Sequence, residues 1–462
     1  MKLSKLGWVF AAGVALAACD DPLQTDPQSA IPADEALTTA EQLRVGVNGM
    51  YDSMQGDGGY ARDLLAYPEL FAGGVSGAPA NLIWTGTFDT DAEVSAGTVR
   101  PSNGAVEGIW EEAYRTIGRA NNVLAALAVV DGVAEDDSAQ FAGEAQFVRA
   151  LNYHNLVRFF GGVPLVTEPT RELSGSTAVA RSSEAQVYAQ IEADLTSARR
   201  LLADGSGASV GHATQCAATA LLSRVYLDAG KHAAARDAAT DVIAGCGFRL
   251  VDDYGNAWRI ENSTESIFEI QFTILDNNNL AFWFFPRVLG GRRGFAPTQS
   301  LFNAYRTTPA DTVVVDRRRD YNIGIYNASG SRYGRKYFRI ESNDDNVPVL
   351  RLAEMYLNRA EANWRLGAPA ATVRADLNVI RSRARAVPLD ESVSTSTQLR
   401  GAILNERRLE MALEGVRMFD VRRILGTAEA AALYRVDANK LYWPIPQQEI
   451  NTNPSLTQNP GY

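Results

Sequence analysis

Three histidines and three cysteines in 462 residues leave little material for metal or thiol chemistry. His154, His212 and His232 are scattered, without the close spacing of a zinc or iron site, so the sequence implies no metal and no cofactor. Each reads as a helix-surface or packing histidine. Positive charge is also short. Without its first eighteen residues the chain keeps 42 Lys and Arg against 54 Asp and Glu, a formal charge of −12. Binding to phosphate backbones needs concentrated, uncompensated positive charge, which sets nucleic acid aside as a partner. Past the N-terminus no apolar run reaches the ~18 residues that a membrane-crossing helix requires. Disorder is excluded too, because 46% hydrophobic and 21% charged residues are globular proportions.

The N-terminus is where the sequence first becomes specific. Lys2 and Lys5 precede an apolar stretch from Leu6 to Val14, and "LAAC" follows, ending at Cys19. This order reads as an export leader over residues 1–18, closed by the lipobox of bacterial lipoproteins, with Cys19 lipidated. The polar, proline-bearing "DDPLQTDPQSAIP" reads as a tether within residues 19–34. Membrane contact is thus expected through the N-terminal lipid alone, with residues 35–462 as one folded body.

That body reads as mainly α. Amphipathic periodicity predicts helices over about 105–129, 138–160, 183–202, 213–229 and 233–244, then over 350–366, 370–384, 397–414 and 417–425. Glycines and prolines punctuate them, notably "FFGGVP" after Phe160, Gly230, Gly367 and Pro388. Two hairpins look like copies: "LLSRVYLDAGKHAAARDAATDVI" and "RAEANWRLGAPAATVRADLNVI" align on Gly230 with Gly367, Ala234 with Ala371, and Val242-Ile243 with Val379-Ile380. That is a tetratricopeptide-like arrangement of small and large positions over about 105–244 and 350–425. Cys216 lies fourteen residues before Gly230 and Cys246 sixteen after it, nearly level across an antiparallel hairpin, which predicts a disulfide.

Between the helical regions, 247–348 is different. It holds 17 of the 41 aromatics, and only "SIFEIQF" (Ser266 to Phe272) alternates like a strand. The rest reads as loop. "DNNNLAFWFFP" sets four aromatics in a row, some of which are expected at the surface.

The stretch "ERRLEMALEGVRMFDVRR" (Glu406 to Arg423) is charged at nine of eighteen positions, yet Leu409, Leu413 and Val416 keep helical spacing. Acids and bases three and four apart, such as Glu410, Glu414, Arg417 and Asp420, predict an ion-paired helix surface. With every carboxylate held ionised by an arginine, neither a catalytic acid nor a polyanion site fits, and the stretch reads as structural.

This stretch, with "NE" before it, resembles the signature helix of the SusD/RagB family of outer-membrane nutrient-binding lipoproteins. The C-terminal "YWPIPQQEINTNPSLTQNPGY" resembles that family's ending. "RFFGGVPLVTEP", "PTQSLFNAY", "DRRRDY", "RKYFR" and "VLRLAEMYLNRAEA" follow in the family's order. The resemblance implies a SusD-like fold with tetratricopeptide-like helix hairpins as scaffold and a long irregular, partly β insert that carries the ligand site. It also implies a cell-surface lipoprotein, lipid-anchored in the outer membrane and facing outward, that binds oligosaccharides or peptides. Such a protein delivers its ligand to a SusC-like TonB-dependent transporter. Asp20 and Asp21 after Cys19 fit surface export in such bacteria.

Neutral sugars offer hydroxyls and weakly positive C–H faces, so their binding calls for aromatic platforms flanked by polar groups. Trp283, with Phe282 beside it and Asn279 before it, supplies that chemistry in the insert. Trp84 and Asn81 supply it in "PANLIWTGTF". Two other classes compete. A helical glycoside hydrolase would need paired carboxylates across a cleft, but Asp252-Asp253 and Asp344-Asp345 read as turns. A tetratricopeptide-type scaffold would bind protein partners without a small ligand. No catalytic residue is assigned.

Overall fold

Helix starts are marked by side chains that take up the backbone donors a first turn leaves free. Thr39, Asn103, Ser183, Thr214 and Thr395 each accept such an N–H. The computed structural model describes residues 36–170, 178–203, 210–306, 316–327 and 330–462. The leader, Cys19 and the tether lie outside the described residues.

The chain opens with α1 (Ala40–Asp52), α2 (Asp63–Leu70), the short strand β1 (Leu82–Trp84) and α3 (Asp89–Ala96). Five longer helices follow: α4 (Gly104–Leu127), α5 (Glu135–Phe160), α6 (Glu184–Leu201), α7 (Gln215–Asp228) and α8 (His232–Gly245). Each packs on the next, as short connections require. The middle of the chain carries β2 (Ser266–Ile270), α9 (Leu280–Phe284), β3 (Phe295–Pro297), α10 (Gln299–Ala304), β4 (Ile323–Ile325), β5 (Arg332–Gly334) and β6 (Val347–Arg351). Then come α11 (Leu352–Arg365), α12 (Ala370–Arg383), α13 (Ser396–Glu410), α14 (Arg417–Leu425) and α15 (Thr427–Tyr434). Helix α11 packs on α8, so the two helical groups form one continuous body around the insert.

The hairpins α7–α8 and α11–α12 turn at Gly230 and Gly367, both with φ of 72°. That left-handed conformation costs a glycine nothing and most residues ~1 kcal/mol or more. At the open end of the first hairpin Cys216 and Cys246 are joined in a disulfide with a Cα separation of 6.0 Å.

The insert is not the loop expected from its composition. β1 pairs with β3, β2 with β6 and β4 with β5, each antiparallel, and all five residues of β2 are buried rather than alternating. "LAFWF" forms one helical turn, α9. Successive rings on a helix diverge by ~100°, so each can enter a different cluster. Phe284 meets Tyr337 and Phe285 meets Tyr333. The C-terminal "YWPIP" is core as well: Trp443 is fully buried between Phe159 and Tyr67.

The signature stretch departs from a continuous helix. α13 ends at Glu410, not Glu414, and residues 411–415 turn before α14 begins. Leu413 has a φ of 67° and Gly415 of 73°, and any Cβ on Gly415 would strike the Leu64 carbonyl oxygen. Buried Glu69, at the end of α2, accepts the N–H groups of Leu413, Val416 and Arg417 at 3.2 Å each. The charges are not a helix surface either. Glu410, Glu414, Arg417 and Asp420 are buried, and most of their partners come from elsewhere in the chain. Glu414 binds Lys336 and Arg351, Asp420 binds Arg407 and Arg423, and the Arg417 side chain donates to the Pro79 and Leu404 carbonyls. The structural reading holds, mainly by long-range pairs, with Asp420–Arg423 as an i,i+3 pair among them.

Candidate ligand-binding site

The β1–β3 pair brings the early loop to the insert. Trp84 lies opposite Phe295, Thr85 N–H donates to the Gly294 carbonyl at 2.8 Å, and the Trp84 and Phe295 rings sit 5.2 Å apart. From the other side α9, whose Trp283 N–H donates to the Asn279 carbonyl at 3.0 Å, presents Trp283 to the same place. Trp283 lies 6.2 Å from Trp84 and 6.1 Å from Phe88, while Trp84 and Phe88 stack at 6.3 Å. Gly294 makes the approach possible, because a Cβ there would press into both indoles.

Cations cover this cluster. The Arg292 guanidinium lies 4.4 Å from the Phe88 ring centre and 5.1 Å from that of Trp283, and Arg62 lies 5.4 Å from Trp283. Arg62 is tied to Asp63 at 2.6 Å, and Asp91 accepts the Tyr67 hydroxyl at 3.1 Å. Glu112 accepts Gly56 N–H at 2.9 Å, and burial pushes its carboxyl up to about 7. The Trp84 Nε1 donor is buried with no hydrogen-bond partner. A half-exposed ring face and a guanidinium together suit a ligand that offers both C–H faces and oxygens.

The residues anticipated from sequence divide. Trp84, Trp283 and Phe282 meet in one cluster, Phe282 standing edge-on to Trp283 at 5.7 Å. Trp283, however, is 8% exposed, so it supports the platform from beneath instead of standing at its surface. Asn279, half-buried, serves the start of α9 with its backbone. Asn81 is a correction. It is 1% exposed, its amide donates to Glu69 Oε2 at 2.7 Å, and its Oδ1 accepts from Arg408 at 2.8 Å. Both partners are distant in sequence, and their demands withdraw it from any ligand. The ring that does face outward is Phe88, 42% exposed, which sequence reasoning passed over although it closes the same "PANLIWTGTF" stretch. Arg292 and Arg62 were missed as well; only the "GGRRGF" run at 290–295 hinted at the first.

Other features do not converge on these rings. A cleft of about 730 Å³ is lined by Thr98, Arg100, Arg435, Lys440 and Tyr462, among others, and includes none of them. Asp253 caps Gly255 and accepts from Tyr321, and buried Asp345 accepts Arg339 N–H, so both carboxylates hold turns. His154 is buried against Asp228 at 2.8 Å, and burial lowers its pKa to about 4. Among the described residues no group of three or more His, Cys, Asp or Glu could hold a metal, and no helix is long and apolar enough to cross a membrane.

This mainly helical architecture recurs in known structures. A SusD superfamily protein from Bacteroides vulgatus superposes with a TM-score of 0.79 at 21% identity, covering 92% of this chain and 100% of that one. A structure described as a laminarin binding SusD-like protein gives a TM-score of 0.78 at 26% identity, over 92% and 100% of the two chains. In sequence, residues 318–462 match the profile of the SusD family, and residues 75–227 match one described as starch-binding associating with outer membrane. SusD-like protein P2 of Formosa agariphila is 28% identical over the whole of both chains. Starch-binding protein SusD of Bacteroides thetaiotaomicron is 34% identical over 26% of this chain and 22% of its own. Two segments, residues 75–227 and 318–462, thus match SusD-type profiles, and the chain shares the fold of SusD superfamily structures.

Proposed function

We propose that this protein binds oligosaccharides without cleaving them, on the platform formed by Trp84 and Phe88 with Trp283 beneath. The observation that carries this reading is the convergence of two loops, some two hundred residues apart in sequence, on one aromatic cluster with an outward ring. The names of the starch-binding and laminarin-binding relatives support a glycan over a peptide. The carboxylates beneath the platform are engaged by Arg62 and Tyr67, which favours binding over acid–base chemistry. By family, the ligand passes to a SusC-like TonB-dependent transporter. Cys19 carries the lipid that holds the protein to the outer membrane, facing outward, and Cys19→Ala releases it from membranes.

The test is tryptophan fluorescence against a panel of neutral and acidic oligosaccharides, run beside a reducing-sugar assay. Saturable quenching without sugar release is expected, weakened at least tenfold in Phe88→Ala and Trp84→Ala. Sugar release with time, or no quenching by any member of the panel, overturns the reading.

A further inference from the structure

Beyond the platform, four arginines on one face of the insert have no ion-pair partner among the described residues. Arg292 covers the platform rings, and Arg293 beside it turns away, donating Nε–H to the Arg332 carbonyl at 2.9 Å. Arg332 donates to the Pro297 carbonyl at 3.3 Å and to Gln299 Oε1 at 2.8 Å, and its guanidinium lies 5.6 Å from the Phe302 ring centre. Arg306 lies 5.7 Å from the same ring, with its Nε–H unpartnered. All four are partly exposed, and among the described residues none has a carboxylate within ion-pair distance. Their mutual repulsion is felt: burial, and then Arg293, lower the pKa of Arg332.

This runs against the composition. An acidic protein has carboxylates to spare, and close by it uses one: the neighbouring Arg319 is paired with Asp320 at 2.7 Å. Four like charges kept together along β3 and α10 are an electrostatic cost unless an anion offsets it. Guanidinium groups offer planar forks that match carboxylate and sulfate oxygens, and all four already lean on aromatic rings. The track also begins on the platform itself, which selects an anion carried by a sugar chain.

We infer that the ligand of the site proposed above is an anionic oligosaccharide, whose rings stack at Trp84 and Phe88 and whose acidic groups lie along Arg292, Arg293, Arg332 and Arg306. This rests on the platform being the glycan site, and it names the class of glycan. The acid could be a uronate carboxylate or a sulfate ester, and the guanidinium track suits either.

The experiment titrates the soluble Cys19→Ala protein with a neutral β-glucan oligosaccharide, an oligogalacturonate and a sulfated galactan oligosaccharide of equal length, at low and high salt. At least one acidic ligand is expected to bind tenfold or more tightly than the neutral one, and to lose most of that margin at high salt. The Arg306→Gln/Arg332→Gln variant, its melting temperature within a few degrees of the parent, is expected to lose tenfold for the acidic ligand and nothing for the neutral one. The two acidic arms distinguish carboxylate from sulfate. Neutral binding equal to or tighter than both acidic arms overturns the inference and leaves the platform reading intact. Acidic binding indifferent to salt and to the arginine variant does the same. If Trp84→Ala leaves acidic binding unchanged while the arginine variant abolishes it, the platform reading fails and with it the stacked pose inferred here.

Discussion

Around Glu410 each arginine is answered by carboxylates, whereas beside β3 and α10 four arginines have no ion-pair partner among the described residues. In the first region Arg318, Arg351, Arg381, Arg383 and Lys336 meet Asp316, Glu265, Glu406, Glu410 and Glu414, five cations against five carboxylates. Burial would raise the Glu410 carboxyl, but Arg383, Arg351 and Arg318 together hold it well below the ordinary range. Neutrality is what allows so many charges inside, since an unpaired buried ion costs several kcal/mol. In the second region the guanidinium groups reach solvent, which spares them most of the desolvation but leaves their mutual repulsion unanswered. One residue type thus performs two tasks, and the difference is whether its charge is already spent.

The sharpest way to break this contrast is to remove a carboxylate from the closed network. Glu410→Ala takes a shared carboxylate from three buried arginines, leaving the network short of negative charge, and is expected to cost about 4 kcal/mol, read from the midpoint of denaturant unfolding. Arg332→Gln on the open track should move the same midpoint by less than about 0.5 kcal/mol. Comparable losses in both would erase the distinction.

Reducing the Cys216–Cys246 bond comes next. It closes a separation of 30 residues, and its loss is expected to lower stability by about 3–4 kcal/mol while leaving the ion network intact. Thiol titration of the denatured, unreduced Cys19→Ala protein should find no reactive thiol; two per chain would refute the bond.

The platform can be divided in the same way. Trp283→Ala removes a buried ring and should cost about 3 kcal/mol, whereas Phe88→Ala should cost under about 1 kcal/mol and appear mainly as weaker glycan binding. Equal thermal shifts would show that Phe88 is packing, not platform.

The smallest effect is a matter of pH. Glu112 in the folded state titrates at about 7, above its unfolded value of ~4.3. Its contribution is therefore fully present below about pH 4 and is lost as pH rises through 7. Glu112→Gln keeps an acceptor for Gly56 but never ionises, so it should be more stable than the parent at pH 8 and no different at pH 4. An equal difference at both values would assign the effect to packing.

The long helices were legible because their periodicity is local. α4 was expected over 105–129 and runs from Gly104 to Leu127, and α14 was expected over 417–425 and occupies those residues. The break after Glu410 was not legible. Leu409, Leu413 and Val416 continue the helical spacing, and the turn between them is fixed by Glu69, which no local pattern reveals. Asn81 misled for the same reason: beside a tryptophan in a loop it looks available, and Glu69 and Arg408 take it from far along the chain. Trp84 and Trp283 could be picked as aromatics out of place, but the β1–β3 register that joins them is a tertiary fact. The arginine track was invisible because sequence shows which arginines exist, not which lack acids.

The clasp at Glu69 also has a meaning in time. Its carboxylate waits for amide donors that lie 344 to 348 positions further along. Until the turn at 411–417 has emerged, that group can be satisfied only by water, and α2 cannot settle against the rest of the core without stranding it. Contacts closed over so long a loop are late and slow to form. On the export route proposed above, such a delay would keep the first helices from locking until the last ones have arrived.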